Sequence, residues 1–410
     1  MTLGRNPLRE KIEQEIRERG PIAFSRYMEL CLYDPELGYY SRNADQFGKA
    51  GDFYTSSDVN AVFGRLLARQ FDEMWRVLGS PGQIQLVELG AGRGLFAQDV
   101  LDWSEKKFTG FFCALRYVLV ESSPALRGKI QETLAPRLDS GKAELRTSFS
   151  AAPEFSPGRL AQCHHAANEP PLFGPSAAGM PTITFANEFF DALPVEILSR
   201  EGSLRIDARD GRFFETWMQP SAEELEFLDR HSVHPESGER IEVPLAAQHI
   251  MDQIITGLHR GFLVIIDYGY TREEQLAGGH RGTLKAIRQH SVSGNPYEAP
   301  GEQDLTADVN FTALAAAAEK HGMIVQRLIT QSQFLLGIGE ASQFGDAFED
   351  CRLPQERAKV ALQLKHLVTP AGMGESFQVL VASKGLEEEE SAALSGLSFG
   401  RVFRTSRDGS

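Results

Sequence analysis

Five acids stand at the ends of short apolar runs. Glu88 falls within Ile84 to Leu89, Glu121 follows Tyr117 to Val120, Glu188 and Asp191 follow Thr182 to Ala186, and Asp267 follows Phe262 to Ile266. Carboxylates set this way can accept hydroxyl groups or pair with a cation and fix its orientation. After Glu88 comes Gly90-Ala91-Gly92-Arg93-Gly94, bare backbone that lets a ligand approach closely. A polar, partly cationic ligand set would need both features. The plain structural alternative is that each acid caps the helix that follows it. That alternative serves any single acid, Asp191 especially, better than it serves the whole row.

The elements that must hold these residues follow from the pattern. Short apolar runs, bounded by turn residues and separated by helix-length segments, read as buried parallel strands of an α/β sheet. Ile324 to Ile329, Phe377 to Val381 and the neighbourhood of Leu145 offer further strands. Ligands bind such sheets at the carboxyl ends of the strands, where the acids lie. Ahead of the sheet, residues 1–80 read as a helical region, with helices over Leu8 to Arg19, Ala23 to Leu32 and Asn60 to Leu78. The main domain spans 81–385. Within it, alternating sequence from Val195 to Trp217, broken at Glu201-Gly202 and Asp210-Gly211, signals hairpins in a β insertion over about 195–250. Thr271 to Asp308 reads as a long loop or lid, and 386–410 as a solvated, disordered tail.

The glycine spacing narrows the ligand. A dinucleotide site reads GxGxxG; this loop reads GxGxG with an acid two residues before its first glycine. In that form it resembles motif I of class I methyltransferases that use S-adenosylmethionine (SAM), a cofactor without a pyrophosphate. Glu121 then occupies the place of an acid that accepts ribose hydroxyls. A loop serving a nicotinamide cofactor is the weaker alternative, because no histidine or lysine is placed as a hydride-transfer acid.

Further segments carry a more specific resemblance. They are Leu32 to Pro35 with Gly38-Tyr39-Tyr40, Gly51 to Ser56 (GDFYTS), Glu88 to Gly94, Glu121 to Pro124, Asn187 to Pro194 (NEFFDALP), Ile266 to Gly269, Gly282 to Leu284, Asp304 to Val309, and Met373-Gly374. Together they resemble the MidA family over about Ile22 to Lys384. The resemblance implies a class I, Rossmann-like seven-stranded core and a SAM-dependent protein-arginine methyltransferase. It also implies symmetric dimethylation, as on the quinone-site subunit of respiratory complex I. The cofactor residues expected on this basis are Thr55, Ser56, Glu88, Gly90, Gly92, Gly94, Glu121 and Asn187. An arginine side chain is always charged, so carboxylates must pair with its N–H groups and leave one nitrogen to attack. Glu188, Asp191 and Asp267 are the candidates. The competing functions are methylation of a small molecule or another side chain, and a SAM-binding assembly factor with little turnover.

The totals exclude other classes. Of 410 residues, 24% are charged and 42% hydrophobic, with a net charge of −14, which suits a globular protein and disfavours nucleic acid or an anionic membrane as partner. The four cysteines, Cys31, Cys113, Cys163 and Cys351, form no CxxC pair, and His164-His165 read as surface residues, so no metal is expected. The N-terminus lacks an apolar signal core and holds many acids, from which cytoplasmic residence is expected.

Overall fold

The computed structural model describes residues 6–42, 61–148, 179–288, 291–369 and 373–400. The central sheet is built from β1 (Ile84–Leu89), β2 (Leu115–Val120), β3 (Ala143–Arg146), β4 (Thr182–Asn187), β5 (Gly261–Tyr270), β6 (Ile324–Val325) and β7 (Phe377–Lys384). Their spatial order is β3-β2-β1-β4-β5-β7-β6. β1 to β5 are parallel, and β7 enters antiparallel between β5 and β6. Two short pieces complete nine strands, Val309–Asn310 beside β5 and Ile329–Thr330 beside β7.

The register explains why the acids gather. Leu89 is level with Val120 on one side and Ala186 on the other, and Asn187 is level with Ile266. The residues that follow, Gly90, Glu121, Glu188 and Asp267, therefore leave the sheet along one edge. The strand order reverses at β1, between β2 and β4, which opens the crevice where open α/β sheets hold ligands.

Both faces of the sheet are covered, which is why the strands read as unbroken apolar runs. Leu86, Tyr117, Leu119, Phe185 and Val264 point into one core, with the helices Ala61–Val77, Leu95–Lys107 and Gln331–Ala341. Val87, Val118, Val120 and Ile265 point into the other, with the helices Leu245–Gly257 and Phe311–Lys320.

The inserted hairpins form as expected: Glu196–Ser199, Gly202–Arg209 and Arg212–Met218, the last two joined by Asp210 and Gly211 at φ 52° and 73°, as a tight hairpin turn requires. Ile241–Val243 and Ile22–Ala23 complete a five-stranded sheet. Leu8, Ile12, Ile16, Phe24 and Tyr27, from the helices Pro7–Arg19 and Phe24–Tyr33, share a core with Leu204 and Ile206 of this sheet. The N-terminal helices thus divide between two cores: the first two pack on the insertion and Ala61–Val77 on the central sheet.

Two expectations differ from the structure. The segment from Thr271 to Asp308 is not a plain loop: it carries the short helix Arg272–Leu276 and an antiparallel sheet of Lys285–Arg288, Ser291–Ser293 and Asp304–Thr306. The tail is ordered as far as Gly400, through the helix Glu388–Ala392 and the 3-10 turn Ser395–Gly400. Leu394 and Leu397 are buried, Ser395 donates to Glu73, and the Gly396 amide donates to Gln70. Two leucines among small residues gave too weak a periodicity to signal this anchor.

Candidate active site

The glycine loop leaves β1 at Leu89, and the Gly90 amide continues the ladder to the Val120 carbonyl at 2.9 Å. Gly90, Gly92 and Gly94 take φ of 67°, 56° and 76°, the left-handed region that side chains disfavour. At Gly90 a Cβ would also lie 2.9 Å from the Phe189 ring. At Gly92 it would meet nothing within 4 Å among the described residues. The backbone there faces open space at the N-terminal side of the helix Leu95–Lys107, a position suited to a ligand.

Glu121 closes this space from β2. Its Oε2 accepts the Gly92 amide at 3.0 Å and its Oε1 the Ser123 amide at 2.8 Å. Burial pushes its carboxyl up to about 7, against the pull of those amides. Glu88 is buried within β1 and accepts the Tyr117 hydroxyl at 2.8 Å; burial lifts it to about 8, and the Glu121 carboxylate adds to the rise. Glu88 therefore sits on Tyr117 within the sheet. Thr55 and Ser56 lie outside the described residues, as do Cys163, His164 and His165.

At the ends of β4 and β5 the structure brings Asn187, Glu188, Asp191 and Asp267 together and gives them different surroundings. Asp267 is wholly buried. Its Oδ2 accepts the amides of Phe189, Phe190 and Asp191 at 3.1, 2.9 and 3.3 Å, and its Oδ1 accepts the Tyr268 amide at 2.9 Å. Burial, with Asp191 and Glu188 nearby, holds its proton affinity well above the carboxylate norm. Asp191 is buried too, accepts the Thr306 hydroxyl at 2.8 Å, and is pushed by burial up to about 6. Both acids are buried and hold the NEFFDALP turn, and the Asp191 Oδ1 has no hydrogen-bond partner among the described residues.

Glu188 is the exception. It is half-buried, takes φ of 50°, and ties its amide to the Ile266 carbonyl at 3.0 Å. A non-glycine residue held in that conformation stores strain of about 1–3 kcal/mol, the kind found at functional sites. The Asn187 side-chain amide donates to Glu188 Oε1 at 3.1 Å. The buried Asn187 Oδ1 has no hydrogen-bond partner among the described residues, leaving an acceptor for a ligand amine. Open backbone at Gly92, an acid at the end of β2 and an orphaned acceptor at Asn187 fit a ligand with ribose hydroxyls at one end and an amino acid at the other.

Sequence reasoning missed several supporting residues. The Tyr33 hydroxyl donates to the Ala192 carbonyl at 2.8 Å, the Tyr40 hydroxyl to Asp304 at 3.1 Å, and the Ser123 hydroxyl to the Tyr40 carbonyl at 2.9 Å. These bonds tie the N-terminal segment to the Glu121 turn and the NEFFDALP turn. Their segments, Leu32 to Pro35 with Gly38-Tyr39-Tyr40 and Glu121 to Pro124, carried part of the family resemblance, but their spacing assigned Tyr33, Tyr40 and Ser123 no role. Among the described residues no cluster of three His, Cys, Asp or Glu is arranged to hold a metal ion, and no helix is long and apolar enough to cross a membrane.

An α/β sheet with a glycine loop at its switch point and an acid on the neighbouring strand defines a nucleoside-cofactor-binding core. Residues 66–329 match the model of a family of S-adenosyl-L-methionine-dependent methyltransferases. The chain belongs to that MidA-like family, and SAM is its cofactor. It is 30% identical over 378 residues to the mitochondrial protein arginine methyltransferase NDUFAF7 of Danio rerio, covering 90% of this chain and 84% of the relative. Against the human protein of the same name it is 28% identical over 399 residues, covering 90% and 82%. A crystal structure of a Burkholderia thailandensis protein bound to S-adenosyl-homocysteine superposes with a TM-score of 0.74, at 26% identity, over 95% of this chain and 94% of that one. The expectation of cytoplasmic residence is overturned: relatives matched over most of the chain are mitochondrial proteins. An N-terminus without transit-peptide features was too weak a basis for it.

Proposed function

We propose that this methyltransferase modifies arginine side chains of a protein substrate, by symmetric dimethylation, and that a respiratory complex I subunit is the first substrate to test. The observation that carries the reading is Glu188, the one acid of the β4 and β5 cluster that is only half-buried as a residue, held at φ 50° with its Oε2 inside the site. Relatives named as protein arginine methyltransferases support it. We further read the seven strands on the main path as a class I core.

The residues divide the work. Backbone at Gly90 to Gly94 gives the cofactor room, Glu121 accepts its ribose hydroxyls, and the free Oδ1 of Asn187 accepts from its amine. SAM supplies an electrophilic methyl group on a sulfonium. Glu188 pairs with guanidinium N–H groups and leaves one nitrogen electron-rich and aligned for in-line attack. Asp267 and Asp191 act as positioning residues that hold the strained turn beneath Glu188.

The test incubates the purified protein with methyl-labelled SAM and a lysate from cells lacking it, then hydrolyses each labelled band. Symmetric dimethylarginine in a protein band is the expected product. Label on another residue, or only in small molecules, would remove the arginine assignment.

A further inference from the structure

Past Asp267, β5 continues through Tyr268 and Gly269, and a cavity of about 220 Å³ opens beside them. Lys285, Asp308, His280 and Glu375 also line it. Its wall is closely packed, since a Cβ on Gly269 would lie 2.3 Å from the Val309 carbonyl oxygen. The Asp308 carboxylate takes Lys285 Nζ at 2.8 Å and His280 Nδ1 at 3.0 Å. The Asp308 side chain is 16% exposed and that of Lys285 44%: a flexible cation from the protein's surface rests on an inward acid. The cavity adjoins the acids above, for Tyr268 in its wall follows Ile266 by two residues on β5, and the Ile266 carbonyl takes the Glu188 amide at 3.0 Å.

We propose that this cavity is a specificity subsite for a second basic side chain of the substrate, flanking the arginine that Glu188 orients. Asp308 pairs with that side chain, and Lys285 occupies its place until the substrate arrives. The proposal rests on the arginine reading above. Lys285 itself places an ammonium against Asp308 at 2.8 Å. Glu274 and Glu375 in the lining give the cavity a net negative charge, as does the whole chain, so a basic peptide is drawn to it. A half-exposed lysine on one acid is a weak pair, which an incoming basic side chain displaces at Asp308 Oδ1 while His280 stays on Oδ2.

The test separates binding from turnover. Two synthetic peptides carry one acceptor arginine, flanked in one by a second arginine and in the other by glutamine. Their affinities for the full chain with S-adenosyl-homocysteine are read by fluorescence anisotropy, scanning the flanking position. At one spacing the dibasic peptide should bind about tenfold more tightly, the size of one charge-assisted hydrogen bond. Asp308→Asn should erase the difference, and Lys285→Met should widen it. Equal binding at every spacing, or a preference that survives Asp308→Asn, overturns the proposal. If the Asp308-dependent preference holds but neither arginine gains a methyl group, the reaction assigned above falls and the subsite stands. If arginine is methylated without regard to Asp308, the subsite alone falls.

Discussion

At Glu188 conformation and chemistry pull in opposite directions. Its φ of 50° would suit glycine, while a carboxylate is what a guanidinium needs. Glu188→Gly should therefore relieve strain and stabilise the protein by about 1 kcal/mol, while turnover falls about 100-fold or more. Glu188→Gln should lose turnover similarly without the gain in stability, and both should retain SAM affinity. Thermal melts and single-turnover rates on the two variants check this. A melt unchanged in Glu188→Gly would mean the turn holds no strain, and a loss of SAM affinity in both would put Glu188 in the cofactor site. Sequence reading found this residue, and Asp191 and Asp267 beside it, because acids after apolar runs stand out. It did not find which way each faces, because that depends on backbone amides of a turn (those of Phe189, Phe190 and Asp191) converging on Asp267. No spacing rule encodes that convergence.

At the scale of elements, the parallel strands and the glycine loop were legible because burial on both faces leaves an unbroken apolar signature and glycine spacing is local. The small sheet around Lys285 and the anchored tail were not, because three- and four-residue strands and a pair of leucines carry almost no periodicity. Each class of element yields a prediction. Gly92→Val should leave the protein folded, since a Cβ there meets no atom of the described residues within 4 Å and the backbone penalty is about 1–2 kcal/mol. It should lower SAM affinity by about 100-fold or more, worth about 2.8 kcal/mol, because the side chain fills the ligand's space. Calorimetry on the folded variant decides this, and unchanged affinity would move the cofactor elsewhere. Removing residues 386–410 strips away Leu394 and Leu397, each contributing about 1.5–3 kcal/mol of burial, and uncovers the helix Gln331–Ala341. The melting temperature should fall by several degrees, whereas a solvated tail would leave it unchanged.

For the molecule as a whole, the buried acids set a pH response. Burial raises Glu88 to about 8, Glu121 to about 7 and Asp191 to about 6. An unfolded carboxyl titrates near 4. Between those values the native protein holds more protons than the unfolded chain, so stability falls as pH rises through that window. The ligand-free protein should therefore melt at progressively lower temperature from about pH 5 to about pH 8, and Glu88→Gln should flatten the decline. A melting temperature that climbs across that range would contradict the assignment. SAM affinity should run the other way near neutrality, because Glu121 accepts two ribose hydroxyls better once ionised.

The strand that completes the central sheet is synthesised after both of its neighbours. β7, Phe377–Lys384, wedges between β5 and β6, and Ile22 finds its partner only at Ile206. On the ribosome, then, β5 must wait with an open edge for more than a hundred residues, and the first helices must wait nearly two hundred for the sheet they cover. Such edges invite strand pairing with other chains. A nascent chain of this architecture needs protection until that strand emerges, and truncated products ending before Phe377 should aggregate rather than accumulate as soluble intermediates.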